Sequence, residues 1–320
     1  MPPLLKIILR RLALGLLTLL LVSVLVFVAT QALPGDTARS ILGRSATPER
    51  LKEVRKQLGL DRPATAQYFE WLSGVVKGDT GDSLVAKEPV RTLLGGRVMN
   101  SAALVLVAAL VSIPLSILIG SLSGLLRDRW FDSSVSLSSL ALAALPEFVI
   151  GILLIMLLAT QVFHVLPAVS RVDPNESIWS QMDMLVLPAI TLVLAVAPYI
   201  IRILRASMIE VLESDYVQMA RLKGMSENIV LRRHALPNAV IPAIQVIALN
   251  LAYLAGGVVV VEYLFNYPGI GWALVDAVAN RDVPVIQFIV LLIAFLYVGF
   301  NLIADIITIL VSPRLRTGLQ

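Results

Sequence analysis

An all-α integral membrane fold with six transmembrane helices is what this chain predicts, on three observations. Hydrophobic residues make up 58% of its 320 positions and charged ones 15%, against about 25% charged in an average soluble domain. Mean hydropathy is +0.85, so polar surface is too scarce to cover a water-soluble core of this size. Six stretches are nearly free of charge over roughly 20 residues or more, the length a bilayer crossing takes. A disordered chain is excluded, because apolar residues are abundant. With no Cys, there is no disulfide framework, Cys-ligated zinc or thiolate nucleophile. A metal site built on His164 and His234 would need carboxylates to complete it.

The spans follow in order. Residues 12–35 and 98–126 carry no charge, 133–163 carries only Glu147, and 184–201, 235–261 and 283–304 are again uncharged. The first follows Arg10 and Arg11 without a small-residue cleavage pattern, so it is expected to be a retained helix rather than a signal peptide. Orientation follows from Lys and Arg in the short loops. With the N-terminus inside, one face holds Lys6, Arg10, Arg11, Arg127, Arg129, Arg202, Arg205, Arg221, Lys223, Arg232, Arg233, Arg314 and Arg316. The short loops of the other face hold Arg171 and Arg281. Segments longer than about 60 residues translocate largely regardless of charge, so 36–97 does not vote. Both termini are therefore expected in the cytoplasm. The net charge of +4 is spent on topology, and no nucleic-acid partner is expected.

Three units follow: 1–35, the N-terminus and first span; 36–97, an external helical segment; and 98–320, the remaining spans with a cytoplasmic loop at 202–237. In the external segment, Thr47-Pro48-Glu49 reads as a helix start. Leu51, Val54 and Leu58 share a face, and Gly59 supplies the stop. A second helix is expected over 63–77, closed by Gly78. The segment is too short to hold a core of its own. In span two, Ser112, Ser116, Gly120 and Gly124 form a small-residue stripe, which suits close helix approach either within the bundle or between subunits.

Catalytic signatures are missing. There is no G-x-x-x-x-G-K-[ST], H-E-x-x-H or G-x-S-x-G, and Pro268-Gly269-Ile270-Gly271 follows no strand and has Leu274 where a third glycine would fall. The informative segment is 202–237, a basic loop predicted as two short helices. Ser214 or Asp215 caps the first, over 216–223, and Gly224 ends it in a left-handed turn. Ser226 caps the second, which reaches Leu236-Pro237 at the membrane. A short rigid helix so presented suits docking into a cytoplasmic partner; the alternative is a solvated loop whose arginines only anchor topology.

Asp215-Tyr216-Val217-Gln218-Met219-Ala220-Arg221-Leu222-Lys223-Gly224, followed by His234-Ala235-Leu236-Pro237-Asn238-Ala239, resembles the EAA loop of ABC-importer permeases. More narrowly, it is similar to the oligopeptide/dipeptide-type permease subunits. Ala220, Gly224, Leu236 and Pro237 match the general E-A-A-x3-G-x9-I-x-L-P pattern. Gln218, Met219 and His234 depart from it. Further similar wording runs through Leu33-Pro34-Gly35-Asp36, through 77–83, through 262–271, through 281–285 and through Ser312-Pro313-Arg314.

The resemblance implies a type I ABC importer permease in the bacterial inner membrane. Its expected partners are a second, different permease chain, two cytoplasmic ATPases carrying ATP and Mg, and an external substrate-binding protein, with no cofactor in this chain. It implies that Asp215, Tyr216, Ala220, Lys223, Gly224, Ser226, Leu236 and Pro237 couple the spans to the ATPases. Peptides are the implied cargo. An ion-coupled secondary transporter is the competing reading.

Acids in or near the spans default to functional hypotheses, which makes Glu147, Glu262 and Asp305 candidates for the substrate path. Glu262 and Asp305 lie near an interface, where water or a basic neighbour can serve them. Glu147 lies deeper, after Pro146, facing either the path or a polar group on another helix. The outer segment with Pro268, Gly269, Trp272, Arg281 and Asp282, including a helix over 272–279, is expected to be a gate or binding-protein contact, or an interfacial packing helix anchored by Trp272.

Overall fold

The computed structural model describes residues 3–32, 46–57, 62–173 and 176–311. The expected stop at Leu58-Gly59 and the motifs at 33–36 and 312–314 lie outside them.

Helix α1 (Pro3–Gln31) is followed by α2 (Pro48–Gln57) and α3 (Ala64–Val76). The first is opened as expected, with the Arg50 amide donating to the Thr47 hydroxyl at 3.4 Å. The second lies against α1 through aromatic packing of Phe27 with Tyr68 and Trp71, at 5.3 and 6.0 Å between ring centres. A 2.8 Å hydrogen bond joins Ser23 to the Tyr68 hydroxyl. Gly78 follows α3 in a left-handed conformation.

Helix α4 (Val90–Leu125) packs along α7 (Met182–Leu212), and both contact α9 (Leu236–Leu264). Leu104, Ala108, Leu192, Val196, Ile200, Leu254 and Val258 form the buried centre where these three meet. The small-residue stripe of α4 is what allows the approach. A methyl on Gly120 would stand 2.9 Å from the Ile201 carbonyl, and one on Gly124 would stand 2.7 Å from Met208. Ser112 and Ser116 are buried on the same side. Of the two open readings, the stripe serves packing within the bundle. A second cluster nearer the outer surface joins α1, the start of α4, α10 (Ile270–Asn280) and α11 (Val283–Val311) through Val26, Leu94, Ile270 and Ile289.

The third expected span is not one straight helix. It divides into α5 (Trp130–Ala144) and α6 (Glu147–Leu154), with a wider π turn over Ile155–Thr160, and the two halves are bent by 108°. Pro146 explains the break, since it lacks an N–H and pushes the preceding residue out of the helical region. Leu145 is accordingly extended. Among the described residues five helices are long and apolar enough to cross a membrane, and a sixth span exists if the bent pair is counted as one.

Candidate functional site

The loop over 202–237 is built on helix α8 (Asp215–Leu222). Val217 and Ala220, three residues apart, turn inward with Val230 to form a small buried cluster against Val211 and Met225. That places Tyr216, Met219 and Leu222 outward, the last 81% exposed. Gly224 stands at a φ of +76°, where a Cβ would cost roughly 1–2 kcal/mol. Its amide donates to the Arg221 carbonyl at 2.9 Å, and the Met225 amide donates to Ala220 at 3.3 Å. These are the paired bonds of a Schellman ending, in which a left-handed residue satisfies the last helical carbonyls.

Other parts of the loop differ from expectation. Ser214 holds the cap position of α8, but its hydroxyl donates backwards to Val211 at 2.5 Å rather than accepting from the helix. Asp215 is exposed in the first turn, where a negative charge suits the helix dipole. Ser226 likewise precedes Glu227–Ile229 without a side-chain cap. That second helix does not end at Leu236-Pro237. It passes through a π turn, Val230–Ala235, into α9. Pro237 cannot donate to the preceding turn, and the wider turn lies beside it. Lys223 is exposed at the end of α8. Arg221 reaches across the glycine turn to Glu227 at 2.6 and 3.3 Å. Ala235, Ala239 and Ala243 then pack on Leu204 and Met208, fixing the loop to the inner ends of α7 and α9.

One cluster was not foreseen from the sequence. Asp132 is buried and accepts from Arg205 Nε at 2.5 Å and Nη2 at 2.7 Å, from the Ser123 hydroxyl at 2.5 Å and from the Asp128 amide at 3.0 Å. This fork joins α4, α5 and α7 at one end of the bundle. The available signal was an arginine within a span end and an acid in the first turn of the next helix, but 73 residues separate them.

The outer region is organised by two buried acids. Glu262 does not lie open to water at an interface. It is fully buried, accepting from Ser101 at 2.5 Å and from the amides of Gly271 at 2.7 Å and Trp272 at 3.3 Å. It thus holds the N-terminus of α10, and its place in a substrate path is not supported. Gly269 and Gly271 make room for it: a methyl on either would stand 2.2 Å from the Glu262 carboxyl or 2.3 Å from Val259 Cα. The Pro268 carbonyl accepts from Asn100 at 2.9 Å. Arg97 lies 4.9 Å from the centre of the Trp272 ring.

Asp282 follows Arg281, which is left-handed and ends α10. Its buried carboxylate accepts from Ser83, from the Leu84 amide at 3.0 Å and from Val85 at 3.4 Å. The 77–83 motif and the outer loop are thereby one unit, and α10 runs from Ile270, two residues before the expected start.

The third acid, Asp305, pairs with Arg11 of α1 at 3.2 Å, a basic neighbour of the expected kind. Glu147 opens α6 and accepts from the Tyr253 hydroxyl of α9. The three acids therefore have separate partners and do not converge. Among the described residues no group of three or more His, Asp or Glu side chains is placed to hold a metal ion.

Long apolar helices packed along one another, with a short helix set beside them by a glycine-locked turn, define a multi-pass membrane component. The family comparison is specific. Residues 112–317 match the binding-protein-dependent transport system inner membrane component, and residues 4–116 match the N-terminal part of such components. The chain belongs to this family of type I ABC importer permeases, as multi-pass inner-membrane proteins.

It is 36% identical over 309 residues to a peptide transport system permease protein of Brucella abortus (strain 2308), covering 97% of this chain and 98% of that one. It is 37% identical, over the same length, to a peptide ABC transporter permease protein of Sinorhizobium fredii. It is also 37% identical over 304 residues to the glutathione transport system permease protein GsiC of Escherichia coli (strain K12), covering 95% of this chain and 96% of that one. The chain is thus the permease component of an ABC importer, and nothing found supports ion coupling.

Proposed function

We propose that this permease passes di- and oligopeptides delivered by an external binding protein, and that α8 seats in a cytoplasmic ATPase. Two such ATPases, supplying ATP and Mg, and a second, different permease chain complete the assembly, with both termini of this chain in the cytoplasm. The cargo reading rests on the relatives named for peptide and glutathione transport. The coupling reading rests on one observation: α8 is locked by a glycine ending yet leaves Tyr216, Met219 and Leu222 exposed among the described residues.

ATPase closure would push α8 and shift the bundle between two packings, each biased by what binds it. Asp215, Lys223 and Ser226 border that helix, Val217 and Ala220 root it, and Leu236 and Pro237 begin the span it moves. Gly224→Val should leave membrane insertion intact and lower uptake at least 10-fold while the ATPases still turn over, through misdirection of α8. The test is uptake and ATP hydrolysis in vesicles containing the whole assembly. Normal uptake in that variant would remove the coupling role.

A further inference from the structure

The bend at Leu145-Pro146 presents a carboxylate for which the described residues hold no paired cation. Glu147 opens α6 and is half-buried. Its described partner is the Tyr253 hydroxyl, and among the described residues no basic side chain pairs with it. Tyr199 of α7 lies at the other side of the bend, its hydroxyl 3.4 Å from the Ala143 carbonyl. Tyr253 and Tyr199 are 48% and 45% exposed. The pocket for the carboxylate is shaped by Gly257, where a methyl would stand 3.3 Å from Glu147 Oε2 and 3.2 Å from the Tyr253 ring.

Depth makes this cluster unusual. At about 1.5 Å per residue, Tyr253 lies about 25 Å along α9 from its inner end, and Tyr199 about 25 Å along α7 from its outer end. Neither is a headgroup-level tyrosine. An ionisable group at such depth faces the protein interior or a water-filled cavity rather than lipid. The same side of α9 carries further polar groups. Asn238, Gln245 and Tyr253, spaced seven and eight residues apart, are all exposed, so polar groups extend from the inner end of the span toward Glu147. Asn238 and Tyr253 donate to the His234 carbonyl and to Glu147, and each keeps acceptor capacity that lipid tails would leave unused.

We infer that Glu147, Tyr253 and Tyr199 form a transient subsite for a primary ammonium group on the cargo, the α-amino end of a peptide, as it crosses the bilayer. The ammonium group supplies the positive charge that no described side chain brings to the carboxylate, and the two phenol rings supply faces that attract an ammonium ion. The Tyr253 hydroxyl bonds Oε2 of Glu147, which leaves Oε1 to accept from the ammonium. Glu147 then favours passage of the amine end by offsetting part of its desolvation, which is where an uncharged lining would oppose it most.

This subsite rests on the importer reading above, and the experiment separates the two. The complete assembly is placed in vesicles with binding protein preloaded either with a free-amine dipeptide or with its N-acetylated form. Uptake and ATP hydrolysis are measured per loaded binding protein, so that affinity of the binding protein for either cargo drops out. Glu147→Gln should lower free-amine uptake about 10-fold, to the level of the acetylated form, with acetylated uptake and ATP stimulation unchanged. Glu147→Asp should restore most of the difference, and Tyr253→Phe should lower it two- to threefold. Equal loss of both cargoes in Glu147→Gln, or no change in either, overturns the subsite. Absence of ATP stimulation in the unsubstituted assembly overturns the importer reading, and the subsite with it.

Discussion

The loop between α7 and α9, inner in the proposed orientation, and the loop between α9 and α11, outer in it, have the same plan, a short helix hung between two spans with a glycine at one end, yet they are stabilised in opposite ways. The outer helix α10 is fixed by buried polar contacts. Glu262 holds its first amides, Asp282 ties its end to Ser83 and Leu84, and Gly269 and Gly271 leave no spare volume. The inner helix α8 rests on the buried Val217, Ala220 and Val230 and on a backbone turn, and leaves Tyr216, Met219 and Leu222 outward. Gly224 has nothing within 4 Å of where a Cβ would be, whereas Gly271 has a backbone carbon at 2.3 Å. The α10 loop is closed against residues 83–101, whereas α8 keeps Tyr216, Met219 and Leu222 exposed. Equal-looking glycines therefore act through space on one side and through φ on the other.

The largest test of that contrast pairs Gly271→Ala with Gly224→Ala. The first forces Val259 and Glu262 apart and should destabilise by about 3 kcal/mol or more, at the top of the range for overpacking. The second meets no atom and should cost roughly 1 kcal/mol through its left-handed backbone alone. Thermal unfolding of the detergent-purified protein measures both. Equal shifts in Tm would erase the distinction between a steric and a conformational glycine.

A smaller effect separates the two ways of fastening the loops. Asp282→Ala leaves the Leu84 amide and the Ser83 hydroxyl without their buried acceptor, an expected loss of about 1–3 kcal/mol. Its readout is faster protease cleavage within 83–87 in the intact protein. Arg221→Ala removes the inner loop's ion pair with Glu227, whose partners are 36% and 56% exposed, and should change stability by less than about 0.5 kcal/mol. Cleavage at 83–87 unaffected by Asp282→Ala would mean that the loop is held by something else.

The same contrast explains what could be read in the sequence. The spans were legible because hydropathy is a sum along the chain, and Gly224 was legible because an amphipathic pattern stops at it. Direction is not a sum: the run 133–163 is apolar throughout, and only the backbone consequence of Pro146 reveals its 108° bend. Glu262 looked like an interfacial acid because a one-dimensional reading cannot see that the chain returns nine residues later to present the Gly271 amide. Arg205 counted in the sequence only as one basic residue of a face, and its pairing with Asp132 exists only because α4, α5 and α7 meet. Ser214 holds the cap position inferred from residue type, but the Val211 carbonyl competes for its hydroxyl. Local backbone preferences and apolar length were recoverable, and polar contacts across spans were not.

The smallest effect on the fold should come from the inner loop's outward face, and it bears most on function. Leu222 is 81% exposed, so Leu222→Ser removes little from the interior and should alter stability by no more than about 0.5 kcal/mol. A central apolar side chain at a protein–protein contact is worth about 2 kcal/mol or more when it is a dominant one, which corresponds to roughly 30-fold in affinity. The substitution should therefore strip the ATPases during purification at matched expression and leave Tm where it was. Val217→Ser, one helical turn away but fully buried against Ala220 and Val230, should do the reverse in order, lowering Tm first and losing the ATPases only as α8 loosens. Retention of the ATPases in Leu222→Ser with an unchanged Tm would mean that the outward side of α8 is not the seat, and Tyr216 and Met219 would lose that role with it.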